Sequence, residues 1–114
     1  MAELVLNFEE GILQVTLVGE VNLLQSNELK EKIKEELVKC NTNQLIIDLS
    51  QVPLLDSSGL GMLIALFKYI NQQQGKIVYV GMTDYVKKII GFAKLDQIFT
   101  IVDDLQSAKL VIND

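Results

Sequence analysis

Apolar and polar positions fall into short blocks along this chain, and the spacing inside each block predicts an element. Leu4–Phe8 ("LVLNF") is a short apolar run. A turn at Glu9–Gly11 separates it from Ile12–Gly19 ("ILQVTLVG"), which is rich in β-branched residues but alternates imperfectly. Two short strands with a tight turn between them predict a hairpin. The period then changes. From about Leu24 to Cys40, Leu29, Ile33, Leu37 and Cys40 share one helical face, and lysines and glutamates fill the others. Asn22 with Gln25 offers a capping box for this helix, and Ser26 is a second N-cap candidate.

Gln44–Leu49 ("QLIIDL") is nearly continuously apolar, the pattern of a central strand covered on both faces. Pro53 follows in a loop. A long helix is expected from near Ser58 to about Gln74, with Gly75 as its stop. Lys76–Gly81 reads as a strand. Thr83 caps a short helix through about Phe92, with Val86, Ile89 and Ile90 inward. Ile98–Val102 reads as a last strand. Asp103–Ile112 reads as a terminal helix whose acidic start suits the helix dipole. The order β-β-α-β-α-β-α-β-α predicts an α/β fold with a mixed sheet, in one domain spanning 1–114.

The long helix is apolar on two sides. Leu60, Leu63, Ile64, Phe67 and Ile70 form its core stripe. Met62, Ala65, Leu66 and Tyr69 lie opposite, where a surface helix is normally polar. Either a second structural layer covers them, or they form an exposed patch for a protein partner. The patch starts one turn from Ser57 and Ser58, which favours the partner.

Composition narrows the chemistry. Of 114 residues, 49% are hydrophobic and 22% charged, which suits a packed core rather than disorder. A net charge of −5 disfavours nucleic acid and anionic membrane surfaces as partners. One cysteine forms no intramolecular disulfide, no signal-like start is visible, and no apolar run approaches the roughly 20 residues that span a bilayer. These features predict a soluble cytoplasmic chain. Histidine is absent, which removes a Ser-His-Asp triad and the commonest zinc ligand. No metal or cofactor is expected.

The densest cluster of candidate chemistry is Leu54–Leu63, "LLDSSGLGML". Asp56, Ser57 and Ser58 suit a helix N-cap. A nucleophile elbow needs glycine two residues before the serine, where Leu55 and Asp56 stand. Gly59-x-Gly61 lacks the third glycine of a dinucleotide loop, since Ile64 occupies that place. A phosphate-accepting role for Asp56, as in a receiver domain, fails because Asp103 and Asp104 follow the last strand where a lysine is required. What remains is modification from outside. A phosphoryl group on a serine at a helix N-terminus meets free N–H groups and the positive dipole end, while adding about −1.5 to −2 charges beside the apolar patch.

"LLDSSGLGML", preceded by "LIIDLSQV", resembles the signature of the STAS domain, and most of all the stand-alone bacterial anti-sigma factor antagonists. "GEVN" (Gly19–Asn22) and the later "GMTDYVKKIIGFAKLDQIF" extend the resemblance over nearly the whole chain. The resemblance implies partner switching. The unphosphorylated antagonist binds an anti-sigma factor that is also a serine kinase, and a sigma factor is released. The kinase then phosphorylates the first serine of the motif, here Ser57, and the complex dissociates. A metal-dependent serine phosphatase resets it. The implied partner-binding residues are Asn22, Asp56, Ser57, Ser58, Gly59 and Leu60, together with Met62, Leu66 and Tyr69 of the apolar patch, with Ser58 a cap or loop residue. The chain would then be a binder and a kinase substrate, not an enzyme, and a monomer or weak dimer. Asn22 stands where the family usually has Asp, which leaves the cap intact and bears on partner choice. Two other classes compete: a non-switching STAS scaffold or accessory domain, and a nucleotide-binding module.

Overall fold

A computed structural model describes residues 2–113; Met1 and Asp114, the ends of the expected domain, lie outside the described residues. The chain forms β1 (Glu3–Glu9), β2 (Ile12–Val18), α1 (Leu23–Lys39), β3 (Gln44–Gln51), α2 (Ser57–Gln72) and β4 (Lys76–Val80). It continues with α3 (Asp84–Phe92), a 3₁₀ turn at Leu95–Gln97, β5 (Thr100–Val102) and α4 (Leu105–Ile112). The sheet has the order β1-β2-β3-β4-β5, with β1 antiparallel to β2 and every other pair parallel. The element order and the mixed sheet are those the hydrophobic pattern predicts.

The opening hairpin closes through two residues, Glu10 and Gly11, between paired Glu9 and Ile12. Both have positive φ, 55° and 79°. That is the twist a two-residue hairpin loop needs, and Gly11 adopts it without the Cβ clash that Glu10 carries.

Parallel neighbours joined by right-handed crossovers put the connecting helices on one face of the sheet. Side chains from α1, α2 and α3 accordingly share the larger core with Leu13, Val15, Leu17, Leu45, Ile47 and Leu49. α4 returns along the other face, where Ala108 and Ile112 pack on Ile12, Ile46, Val78 and Val80. The near-continuous apolar run of β3 follows from this, since alternate residues enter opposite cores. The broken alternation of β2 has the same cause: Ile12 belongs to the α4 side and Leu13 to the other.

Polar side chains cap all four helices among the described residues. Asn22, Asp56, Thr83 and Asp104 accept from the backbone N–H of Gln25, Gly59, Val86 and Ser107. Four local expectations change. The capping box at α1 is half made: Asn22 Oδ1 accepts from Gln25 N at 2.9 Å, while Gln25 Oε1 accepts from Ala2 N instead of reaching back. Ser26 does not cap; its hydroxyl donates to Leu23 O. Gln74, not Gly75, takes the left-handed conformation that ends α2. Gly75 is small for another reason, because a Cβ there would collide with the Asn43 carbonyl. The last strand is also shorter than expected, since Leu95–Gln97 turns and only Thr100–Val102 pairs.

The second apolar face of α2 is not exposed. α1 packs alongside α2 and covers it. Met62 and Leu66 are buried, at 3% and 0% exposure. Tyr69 is half-buried, with the Lys34 ammonium 4.9 Å above its ring. The structural-layer alternative therefore holds, and an exposed patch built on Met62 and Leu66 does not exist. The expected core stripe divides as well: Leu63 and Ile70 are buried, while Leu60, Ile64 and Phe67 are partly buried at the margin of the core.

Candidate functional site at the start of helix α2

β2 and β3 are parallel neighbours, so the loops leaving their carboxyl ends lie side by side. One leads through Gly19–Asn22 into α1, and the other through Val52–Asp56 into α2. Open α/β sheets present their binding surfaces at this end. The two helix starts enclose a shallow groove of about 190 Å³, lined by Leu23, Ser26, Asn27 and Lys30 from α1 and by Ser58, Gly61 and Met62 from α2.

Asp56 organises the first turn of α2. Its Oδ1 accepts from Gly59 N at 2.9 Å and from the Ser58 hydroxyl at 2.6 Å. The Ser58 hydroxyl, and then the Gly59 N–H, hold the Asp56 carboxyl below its usual range. Asp56 is thus the cap, and Ser58 braces the cap rather than serving as one. Gly59 is buried against Leu55, whose Cδ1 would lie 2.7 Å from an added Cβ. That contact seats the start of α2 on the core.

Ser57 occupies the first helical position, exposed to solvent. Its hydroxyl has no hydrogen-bond partner among the described residues. A group added to its oxygen would stand at the amino end of α2, where backbone N–H groups point outward. Gly61 lies one turn further along the same face. It is exposed, and an added Cβ there would meet nothing within 4 Å.

The structure thus brings Asn22, Asp56, Ser57, Ser58 and Gly59 to one end of the sheet. Leu60 is half-buried, and Tyr69 sits three turns away toward the far end of α2. Exposed apolar surface at this end comes from residues the sequence reading passed over. Leu23 and Leu24, at 75% and 86% exposure, open α1, and Leu54, at 46%, precedes the cap of α2. A signal was present: Leu23 and Leu24 lie off the Leu29–Ile33–Leu37 stripe, on faces that are otherwise charged.

A family model for the STAS domain matches residues 3–108. The chain belongs to the STAS domain family. It is 33% identical over 98 residues to the anti-sigma-F factor antagonist RsfB of Mycobacterium tuberculosis, covering 86% of this chain and 79% of that protein. Among solved structures, an anti-sigma factor antagonist from Mycobacterium paratuberculosis superposes with a TM-score of 0.87 at 24% identity, covering 100% of this chain and 96% of that one. The Bacillus cell fate determinant SpoIIAA, solved in its phosphorylated form, superposes with a TM-score of 0.74 at 15% identity, covering 96% of this chain and 99% of that one. At these identities the two solved structures speak to the fold, and the STAS chain shares it. No helix among the described residues is long and apolar enough to cross a membrane.

Proposed function

We propose that this STAS chain is an anti-sigma factor antagonist switched by phosphorylation of Ser57. The unphosphorylated form binds an anti-sigma factor that is also a serine kinase, and the sigma factor is released. Transfer of a phosphoryl group from ATP to Ser57 dissociates the complex, and a metal-dependent serine phosphatase restores the binding form. The chain acts as binder and substrate, not as an enzyme, in the cytoplasm.

The observation that carries this reading is the first turn of α2. Asp56 caps the helix and engages Ser58, so Ser57 is left exposed with a free hydroxyl. A kinase can reach that oxygen without unfolding anything, and the helix start tolerates the added negative charge. The docking face comprises Asn22, Asp56, Ser57, Ser58, Gly59 and the exposed edge of Leu60, with Leu23, Leu24 and Leu54 supplying the apolar contact. Phosphorylation places about −1.5 to −2 charges among those leucines, which costs a partner its complementarity. The names of the relatives support the same reading, as does a phosphorylated form within the fold family.

Incubation with the cognate kinase and ATP, followed by mapping of the phosphate by mass spectrometry, tests the proposal. The expected product carries one phosphate at Ser57. An unmodified Ser57, or a phosphorylated chain that still binds the kinase, refutes it.

A further inference from the structure

The two edges of the sheet differ. β5 is only three residues long, and shortness itself protects an edge. β1 is seven residues long, pairs with β2 without a bulge, and carries no proline or lysine. Its Val5, Leu6 and Phe8 are 55%, 40% and 46% exposed. Its only charges, Glu3 and Glu9, stand at its two ends, so the middle of this edge lacks the usual devices that discourage strand addition.

The hairpin fixes which backbone groups are open. Glu9 and Ile12 flank the two-residue loop, and the closing pair of such a loop exchanges hydrogen bonds. Glu3, Val5, Asn7 and Glu9 therefore bond to β2. Leu4, Leu6 and Phe8 aim their N–H and C=O groups at the open edge.

We infer that β1 pairs antiparallel with β1 of a second copy of this chain, about a two-fold axis at Val5. In this register each Leu4 faces the other copy's Leu6 and exchanges both backbone bonds with it. Val5 faces Val5, and Glu3 faces Asn7. The Asn7 amide donates within its own chain to Glu9 and Gln14 through long, exposed bonds of 3.3 and 3.4 Å, and would exchange one of them for the facing carboxylate. Apolar residues meet apolar residues, and no two carboxylates oppose each other. The neighbouring register, with its axis at Leu6, sets Glu3 against Glu9 and is disfavoured. The pattern of β1 is thus self-complementary, as an isologous contact requires. Ala2 N already donates to Gln25, which ends the pairing at Glu3. The sheet would run continuously through both copies, leaving the loops around Ser57 free at the carboxyl ends of β2 and β3. The net charge of −5 on each copy opposes association, so added salt strengthens it.

Sedimentation equilibrium of the full chain tests this. The apparent mass is expected to rise with concentration from 12.8 kDa toward twice that value, and further at high salt. Val5→Lys puts two ammonium groups on the axis and keeps the mass at that of one chain. Asn7→Glu opposes Glu3 with a carboxylate and weakens association even where Val5→Lys folds poorly. In a Cys40→Ser background, Val5→Cys is expected to cross-link between chains on oxidation faster than Leu6→Cys. A single-chain mass at every concentration, wild-type association by both charged variants, or faster linkage of Leu6→Cys overturns the inference.

Discussion

Ser58 gives its hydroxyl to Asp56 at 2.6 Å, and this bond separates two adjacent serines of the same type into different roles. Ser58 is held by the cap, while Ser57 remains exposed with an unengaged hydroxyl. Asp56→Ala is therefore expected to lower the thermal midpoint clearly. Ser57→Ala should stay within about 0.5 kcal/mol of the parent, as for other surface positions. Equal losses in the two variants would mean that Asp56 is not the cap.

The same carboxylate has a pH signature. Its folded pKa lies below the ordinary value of 3.8, so its contribution is present above that value. The contribution is lost as pH falls through the lower, folded pKa. Urea denaturation over a series of acid pH values should show a shallower loss in Asp56→Asn than in the parent.

Gly59 and Gly61 sit two residues apart and should respond in opposite directions. An added Cβ at Gly59 presses on buried Leu55, with an expected net loss of about 1–2 kcal/mol. At Gly61 the space is open, so Gly61→Ala should stabilise the helix by about 1 kcal/mol. Gly61 lines the groove beside Ser58, so if that groove docks the proposed kinase partner, the same substitution should weaken its binding. Denaturation midpoints and calorimetric titration read the two effects separately.

Leucines on neighbouring helices should separate stability from binding. Leu66→Ala removes a fully buried side chain between α1 and α2 and should cost about 2–5 kcal/mol. Leu24→Ala removes one that is 86% exposed, and should change stability by under about 0.5 kcal/mol. If the leucines at the start of α1 dock the partner, Leu24→Ala should reduce affinity by about tenfold or more, near 1.4 kcal/mol.

Tyr79 is wholly buried in β4, stacks on Phe99 with centroids 4.4 Å apart, and donates its hydroxyl to the Leu63 carbonyl at 2.8 Å. Burial pushes its pKa up, so it stays neutral through the ordinary range. Tyr79→Phe keeps the stack but loses that bond, and should cost about 1–2 kcal/mol in urea denaturation.

Local rules made much of this fold legible in the sequence. The unbroken apolar run of Gln44–Leu49 marked the central strand, and Asn22 and Thr83 marked two helix starts. What a helical wheel does not hold is the identity of the covering layer. The wheel placed Met62 and Leu66 opposite the core stripe, yet it carries no information that α1 would lie there. The exposed apolar patch expected on α2 fails for the same reason. The motif located Ser57, but the exposed leucines beside it belong to another helix, and only the parallel pairing of β2 with β3 brings Leu23 and Leu24 near. Gln74 and Gly75 show a finer limit, because Gly75 reads as a helix stop but is required by the close approach of Asn43, a residue distant in sequence, while Gln74 takes the positive φ.

The Glu10–Gly11 loop lies at the end of the sheet opposite Ser57 and turns toward solvent between two strands. It is the natural place to graft a fluorophore, an epitope or a surface tether. A chain immobilised there would present the start of α2 outward, available to any partner in solution.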